Sequence, residues 1–537
     1  MPKRLAVVLL ALLALAGCRK PETPKPAAPA QPHVAASGPV DGGRLTRRLE
    51  SDLGTLNYVL QTLDEERQVF AYLYDPLIDL DQNLNPHPAT AASWDIQDGG
   101  KTYVLHLDPR ATFSDGTPVL ASDVVFTLGK ILDAESMQFA SWFEGLDRSA
   151  TRALDDHTVR VVFKQARVTQ LLSFNIGVLP EHVYGKGDFA KIQRVVGNGA
   201  YTLTRRTPGQ SVLLTRRKDY WRARPPIASV LFRVIHDDAV AWRAVLRGDL
   251  DVSRISNDTW FRVKDDPAVT QKLAFVDAWL LSYNAIAWNL DDPLFTDANV
   301  RRALAMSYDR QRVITELYHG QARPLTGPFT PDQWANDPDV TPVPFNLTAA
   351  AALLGSAGWR DTNGDGTLDR NGHPFAFKLL VPSGSSSSRA ESQVLQDALA
   401  HIGVKVEITP LDDAAFFDQI LKRNYQAALL GWSNDPDPDP YSLFHSSQIP
   451  PAGLNVVGYR NPEADALIEQ GRVEFDHARR VELYHQLHDI LARDQPYLWT
   501  VQWASKWAVN KRVQNVKTAN GLGLFLWYPA AQGWWLQ

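Results

Sequence analysis

The chain contains one cysteine, Cys18, among its 537 residues, so no intramolecular disulfide can hold the fold together. A chain of this length must instead be stabilised by large hydrophobic cores. Cys18 follows an apolar run, Leu5 to Ala16, which begins after two basic residues. A helix of that length measures about 18 Å, which is too short for a hydrocarbon core of about 30 Å. The layout therefore predicts a secretory signal peptide.

The end of this run, Leu15-Ala16-Gly17-Cys18, resembles the bacterial lipobox, in which the cysteine becomes the lipid-modified first residue of the mature protein. We predict a lipoprotein signal peptide over residues 1–17 and lipid attachment at Cys18. The alternative is an ordinary signal peptide with an incidental cysteine.

The segment that follows Cys18 is rich in proline and alanine and almost free of large apolar groups. Such a composition cannot bury enough surface to fold, and proline-rich chain is extended. We expect residues 18–44 to be a tether. It would hold an exported protein at a membrane, on the periplasmic side or at the cell surface.

The composition of the whole chain is that of a globular protein, with 45% hydrophobic residues, 21% charged residues and a formal net charge of -5. The length predicts two to four domains. A nearly balanced charge without a long basic block gives no case for nucleic-acid binding. We find no second stretch of 18 apolar residues that would span a membrane.

Both strand-like and helix-like patterns occur along the chain. Apolar residues alternate over 101–107 and again over 157–163, as in half-buried strands. Helical spacing predicts one helix over 295–320, capped at Thr296 or Asp297 and ended by Gly320, and a second helix over 476–495 before Pro496. The class predicted is mixed α/β.

Catalytic sequence motifs are absent: there is no G-x-S-x-G, no H-E-x-x-H, no P-loop and no G-x-G-x-x-G after a strand. His485 and His488 lie one helical turn apart, but without a third ligand nearby we predict a partly exposed helix face. The segment from Asp361 to Asp369 has the spacing of a calcium loop, although its twelfth position is Gly372 rather than glutamate. We favour an Asx-rich turn there. We therefore expect no enzyme activity, no metal site and no cofactor.

Several ordered motifs resemble the family 5 extracellular solute-binding proteins, which include dipeptide-, oligopeptide- and nickel-binding receptors of ABC importers. The resemblance runs from about Leu53 to the C-terminus. It is carried by AASWDIQDGGKTYVLHLDPRATFSDGTPVLASDVVFTLGKI (91–131), VVGNGAYTL (195–203), RKDYW (217–221), LSYNA (281–285), ANVRRALAMSYDR (298–310), AAALLGSAGWRDTNGDGTLDRNG (350–372), ALLGWSNDPDP (428–438) and GYRNPEADALIEQGR (458–472).

The resemblance implies an α/β, two-lobed periplasmic-binding-protein-like fold of type II, cluster C, with an extra domain on the N-terminal lobe. The implied boundaries are residues 45–80, 197–284 and 503–537 for lobe I, residues 81–196 for the extra domain and residues 285–502 for lobe II. The chain would cross between the lobes near 283–285 and near 501–504. Rotation about such crossings closes the lobes over a ligand.

The function implied is that of a substrate-binding lipoprotein of an ABC transporter. It would be a monomer that captures peptides, most simply oligopeptides, in the cleft between the lobes and delivers them to a membrane permease. Two alternatives remain open: the same receptor for a non-peptide ligand such as a metal chelate, an opine or an oligosaccharide, and an exported enzyme or a signalling or chaperone protein.

The resemblance also implies ligand-binding residues. In peptide-binding members, the acidic residue three positions after the tryptophan of the G-W strand end pairs with the ligand's α-ammonium, and here that residue is Asp435 after Trp432. Backbone groups of Ser433 and Asn434 would pair with the peptide beside it. Trp432 itself and Asn284 of the LSYNA motif are further predicted ligand-binding residues.

The opposite end of a dipeptide would require an arginine within VPSGSSSSRAESQ, where this chain offers a run of small residues and only then Arg389. Arg389 is thus a predicted carboxylate-binding residue, but its late position weakens the dipeptide hypothesis. Asp437 and Asp439, which follow Asp435 in the same segment, are predicted to form a solvated acidic turn.

Overall fold

The structure is a computed structural model that describes residues 38–134, 136, 139–192 and 194–537. The predicted signal peptide, the lipid attachment at Cys18 and most of the predicted tether lie outside the described residues. The first strand begins at Arg44, where the predicted tether ends. None of the helices in the described ranges has the length and hydrophobicity that a bilayer crossing requires.

The strands are β1 (Arg44–Leu49), β2 (Ile78–Leu80), β3 (Pro86–Pro88), β4 (Ala91–Gln97), β5 (Thr102–Leu107), β6 (Arg152–Ala153), β7 (Thr158–Val162), β8 (Tyr201–Thr207), β9 (Ser211–Arg216), β10 (Ser229–Val234), β11 (Val252–Ile255), β12 (Leu273–Trp279), β13 (Ser282–Trp288), β14 (Ala322–Pro324), β15 (Asp369–Arg370), β16 (His373–Pro374), β17 (Ala376–Pro382), β18 (Lys405–Leu411), β19 (Ala427–Ser433), β20 (Tyr497–Trp499), β21 (Val501–Asn510), β22 (Val513–Gln514) and β23 (Trp535–Leu536).

The α-helices are α1 (Asp64–Leu73), α2 (Ala121–Asp133), α3 (Glu181–Tyr184), α4 (Asp238–Arg247), α5 (Asn257–Val263), α6 (Pro267–Thr270), α7 (Ala298–Met306), α8 (Arg310–Arg312), α9 (Leu347–Ser356), α10 (Ser386–Ala400), α11 (Asp413–Leu421), α12 (Tyr441–Phe444), α13 (Pro462–Val473) and α14 (His477–Asp494). Short 3₁₀ segments include Asp98–Gly100, Ala140–Phe143 and Val168–Phe174. The mixture confirms the α/β class.

The largest sheet has the strand order β12-β21-β11-β1-β10-β9-β8, with β14 paired to β21 outside that path. A second sheet has the order β18-β17-β19-β13-β20. The chain passes from the first sheet to the second between Trp279 and Ser282, and it returns at Thr500, between β20 and β21. These two passages lie within a few residues of the predicted lobe crossings.

The second sheet is buried on both faces because successive residues of a strand point to opposite sides. In β13, Tyr283, Ala285 and Ala287 belong to one hydrophobic cluster, while Ile286 and Trp288 belong to another. Burial on both faces explains why this strand is almost continuously apolar.

A four-stranded antiparallel sheet, β4-β5-β7-β6, lies within the predicted extra domain. Its core is continuous with that of the largest sheet: Leu105 and Val161 belong to the same hydrophobic cluster as Leu45 and Val230. The exact residue ranges of the domains stay a prediction.

The prediction of a single helix over 295–320 is wrong, because the helix is interrupted in its middle. The helix starts as predicted, with the side chain of Asp297 accepting a hydrogen bond at the N-terminus of α7, but α7 ends at Met306. Asp309 then caps a new short helix, and the buried side chain of Arg310 donates to the carbonyl of Trp499 at 3.0 and 2.7 Å. A long-range contact thus interrupts a locally favourable helix.

The helix predicted over 476–495 is confirmed as α14, with Tyr484, Leu487 and Leu491 buried. The partly exposed position predicted for His488 is wrong, because its side chain is fully buried. His488 accepts a hydrogen bond from the backbone N–H of Asp337 at 2.8 Å, and burial lowers its pKa to about 4. The neutral imidazole of His488 thus accepts the hydrogen bond that the backbone N–H of the Asp337 loop donates.

The segment from Asp361 to Asp369 forms the Asx-rich turn that was favoured. The carboxylate of Asp361 accepts hydrogen bonds from the backbone of Gly364 and Gly366, at 2.7 and 3.0 Å, and Asp365 accepts from Thr367. Backbone donors therefore occupy these oxygens.

Candidate ligand-binding cavity

A cavity of about 1010 Å³ lies between the lobes. One wall consists of residues from lobe I and the four-stranded region, and the other consists of the segment that follows β19 together with its neighbours. The lining residues come from the segments 58–80, 132–144, 167–175, 433–453, 472 and 521–532. A volume of this size is in the range of ligand-binding sites.

The lobe II wall begins where β19 ends. Ser433 is paired with Ser282 as the last register pair of β19 and β13, and the next residue, Asn434, donates its backbone N–H to the carbonyl of Leu281 at 2.7 Å. The side-chain amide of Asn434 donates to the carbonyl of Pro328 at 2.7 Å and to Gln333 Oε1 at 2.8 Å. Asn434 therefore fixes the path of the chain that enters the cavity.

Asp435 is the next residue, and its side chain lines the cavity. Its backbone carbonyl accepts from Gln333 Nε2 at 3.1 Å. The Asp435 side chain is open to the cavity, but the surrounding protein atoms limit the hydration of its carboxylate. This loss of hydration raises the pKa of Asp435 to about 6, and the negative charges of Asp439 and Asp437 contribute to the same shift. Within the described ranges, no cationic side chain forms an ion pair or hydrogen bond with this carboxylate.

Asp437 and Asp439 differ from the solvated turn that was predicted. Both carboxylate oxygens of Asp437 accept from Arg480 Nη1, at 2.6 and 2.8 Å, and Asp439 accepts from Arg472 Nε at 2.9 Å. Arg480 is 2% exposed. The prediction failed because these arginines belong to α14 and α13, which the sequence pattern did not place beneath the turn.

The lobe I wall contains a second acidic cluster. Asp75 accepts a hydrogen bond from the hydroxyl of Tyr220 at 2.7 Å, and Arg222 Nη1 lies 4.0 Å from Asp75 and 3.9 Å from Asp79. Burial, partly offset by Arg222, raises the pKa of Asp79 to about 7. Asp75 and Asp79 occur in no motif, so the sequence offered no signal for them.

Three of the predicted ligand-binding residues line the cavity together: Ser433, Asn434 and Asp435. The other three do not line it. Trp432 packs against the hydrophobic cluster of lobe II, Asn284 donates to the buried Glu391 at 3.4 Å, and Arg389 donates to the carbonyl of Ser383 at 3.4 Å. Roles in ligand binding for these three stay predictions.

An aromatic contact also joins lobe II to the four-stranded region. The ring of Phe475, between α13 and α14, lies so close to Gly100 that a Cβ atom at that position would clash with it. Phe475 nevertheless remains 49% exposed. The two lobes therefore touch through an aromatic side chain that a glycine accommodates.

The chain is similar to proteins of known structure and name. It is 28% identical over 514 residues to the "Oligopeptide-binding protein AppA" of Bacillus subtilis, covering 94% of this chain and 93% of that protein. The structure of AppA in complex with a nonapeptide matches 93% of this chain and 100% of AppA with a TM-score of 0.78.

Two further similarities are more distant. The "Probable ABC transporter periplasmic-binding protein SapA" of Escherichia coli is 25% identical over 468 residues, covering 80% of this chain and 81% of SapA. The structure of NikZ from Campylobacter jejuni in complex with Ni(L-His) is similar in fold at 22% identity, and it covers 91% of this chain and 99% of NikZ with a TM-score of 0.79.

These likenesses confirm the two-lobed solute-binding fold that the motifs implied. A family model described as "Bacterial extracellular solute-binding proteins, family 5 Middle" matches residues 85–450. That match spans more than half of the chain, and its range includes the segment that carries Asp435. The chain belongs to the family 5 bacterial extracellular solute-binding proteins.

Proposed function

We propose that this protein is the substrate-binding component of an ABC importer and that it captures peptides in the cavity between its lobes. The observation that carries the proposal is the carboxylate of Asp435. It lines the cavity without a cationic partner among the described residues, while Asp437 and Asp439 beside it are each paired with an arginine. A ligand with an α-ammonium would supply the missing cation.

The site also suits the rest of a peptide. The β19 strand ends at Ser433, so backbone groups beyond it are available for strand-like pairing with an extended ligand. Partly exposed aromatic side chains such as Trp142, Tyr441 and Tyr528 line the cavity and offer apolar contact without requiring one particular ligand side chain. The nonapeptide bound by AppA, a relative over nearly the whole chain, supports a peptide of several residues.

Export and membrane attachment belong to the same proposal. The N-terminal sequence supports a lipoprotein whose lipid on Cys18 and proline-rich tether keep a monomeric receptor near its permease. The protein would act by binding and release, without catalysis.

The ligand class can be tested by native mass spectrometry of the protein purified under mild conditions and then mixed with a degenerate pool of synthetic peptides of two to nine residues. We expect peptide adducts, and co-purified peptides if the affinity is high. A bound metal chelate or sugar, with no peptide adduct from the pool, would contradict the proposal and favour the non-peptide alternative.

Membrane attachment is tested separately with Cys18→Ala. We expect the wild type to sediment with membranes and the variant to be released, since without the thiol no lipid can be attached. A variant that still sediments with membranes at high salt would contradict the anchor.

A further inference from the structure

Three arginines line the cavity in the part of the chain that the structure describes, and two of them already have carboxylate partners. Arg167 donates to Glu144 Oε2 at 2.6 Å, and Arg472 donates to Asp439 Oδ2 at 2.9 Å. The third is Arg67, on the lobe I wall. Its environment differs from that of the other two.

In the part of the chain that the structure describes, Arg67 has one carboxylate within 4 Å, that of Asp64, with Arg67 Nη2 lying 3.6 Å from Asp64 Oδ1. That separation is too long for a hydrogen bond, and Asp64 instead accepts from Gln68 Nε2 at 2.9 Å. Arg67 Nε is buried and has no hydrogen-bond partner among the described residues. Arg67 is therefore the least neutralised of the lining cations.

The helix α1 directs Arg67 toward the cavity. Arg67, Phe70 and Ala71 have the spacing i, i+3 and i+4, which places them on one helical face, and all three line the cavity. This face belongs to lobe I, whereas Asp435 belongs to lobe II. The two incompletely paired charges of opposite sign thus lie on opposite walls.

A second guanidinium adds positive charge to the lobe I wall beside α1, although the same wall also carries the acidic pair Asp75 and Asp79. Arg47 is fully buried, and its Cζ lies 3.6 Å from the centre of the Phe525 ring, which lines the cavity. Among the described residues, its donors reach neutral acceptors only, Gln68 Oε1 at 2.6 Å and Tyr72 Oη at 3.1 Å. Because Arg47 has no hydrogen-bonded carboxylate among the described residues, its buried charge favours an anion close to Arg67.

We propose that Arg67 binds the terminal carboxylate of the peptide whose α-ammonium is bound by Asp435. This inference rests on the proposed function and extends it, because it makes the receptor selective for peptides that are free at both ends. A zwitterionic peptide supplies an anion to the lobe I wall and a cation to the lobe II wall. Closure of the lobes would bring each charge to its partner.

The test uses the degenerate pool of two- to nine-residue peptides in two forms, with a free or an amidated C-terminus, against the wild type, Arg67→Gln and Arg67→Lys. Affinities of the best-binding peptide from the pool, in both forms, are then measured by calorimetry. Arg148→Gln serves as the matched control, because Arg148 is an exposed arginine paired with Asp133 outside the cavity lining.

We expect amidation of the peptide's C-terminus to weaken its binding to the wild type about tenfold. Arg67→Gln should weaken binding of the peptide with a free C-terminus by a similar factor. Amidation should have no effect on binding to Arg67→Gln. Arg67→Lys would retain part of the affinity because it keeps the charge and loses the planar fork. The control would behave as the wild type, and unchanged melting temperatures would exclude misfolding.

The inference is overturned if amidation leaves wild-type affinity unchanged, or if Arg67→Gln still discriminates against the amidated form. It is also overturned if amidated peptides that carry Asp or Glu bind the wild type normally and lose affinity with Arg67→Gln, because Arg67 would then read a side-chain carboxylate. Binding of no peptide form to the wild type would refute the proposed function itself, and with it this extension.

Discussion

The two ends of the acidic turn, Asp435 to Asp439, have the same alternation of aspartate and proline but different surroundings. At the far end, Asp437 and Asp439 are neutralised by Arg480 and Arg472 of the helices beneath. At the near end, Asp435 faces the cavity, and no described residue provides it with such a partner. The difference separates carboxylates that hold the turn in place from the one that is available to a ligand, although the sequence alone makes them look alike.

The largest expected effect concerns the paired end. We expect Asp437→Asn to lower the free energy of unfolding by about 3–5 kcal/mol, because it leaves the guanidinium of Arg480 buried without its anion. Urea denaturation of the empty protein measures this change. Asp418→Asn is the control, since the pair that Asp418 forms with Lys422 is exposed. Equal stability of the two variants would contradict a structural role for the paired end of the turn.

The next effect concerns the pH dependence of binding at the unpaired end. Because the pKa of Asp435 is raised to about 6, a peptide's ammonium must displace a proton from it at lower pH. We expect the affinity of the wild type for a free-N-terminus peptide to fall by about tenfold per pH unit below 6. Calorimetry between pH 4.5 and 7.5 measures the profile.

Asp435→Asn is the control for this profile, because it removes the titrating group. Asp79, with its pKa raised to about 7 on the opposite wall, titrates in both proteins, so the difference between the two profiles reports Asp435. Identical profiles would show that Asp435 does not pair with the ammonium.

The raised pKa of Asp435 also makes the stability of the protein depend on pH. The folded state holds the proton of Asp435 more tightly than the unfolded state, whose pKa is near 3.8. This residue therefore makes the empty protein less stable as the pH rises from about 4 to 6. We expect Asp435→Asn to melt no lower than the wild type above pH 6, whereas a clear decrease in melting temperature would give Asp435 a structural role like that of Asp437.

A smaller effect concerns the contact between the lobes. We expect Phe475→Ser to weaken peptide binding by a few-fold without changing the melting temperature, because the ring packs against Gly100 across the lobes and is half exposed. Solution scattering should show a less compact particle at a given peptide concentration. Phe417→Ser is the matched control, with an exposed phenylalanine elsewhere on lobe II; equal affinities for the two variants would contradict a role in closure.

Local patterns predicted those parts of the fold that local forces determine. The buried face of α14 follows from its helical spacing, and the alternation over 157–163 becomes β7, with Val159 and Val161 buried. Long-range contacts explain the failures. Arg310 is drawn to the carbonyl of Trp499, and the ring of His488 accepts from a loop residue 151 positions away.

The candidate site divides in the same way. The segment that ends in Asp435 could be predicted as a ligand-binding segment because its motif is continuous in sequence and resembles that of the family 5 solute-binding proteins. Arg67, Asp75 and Asp79 were missed because they occur in no motif and reach the cavity only when segments more than 350 residues apart come together. The arginine partners of Asp437 and Asp439 were missed for the same reason.

The central claim is that Asp435 binds the α-ammonium of a peptide, and one calorimetric comparison tests it most directly. The wild type and Asp435→Asn are each titrated with one pool-selected peptide in its free and its N-acetylated form. We expect the substitution to cost about 2–5 kcal/mol for the free peptide and almost nothing for the acetylated one, which should bind both proteins poorly. Equal affinity of the two proteins for the free peptide would contradict the claim and would favour a ligand without an ammonium group.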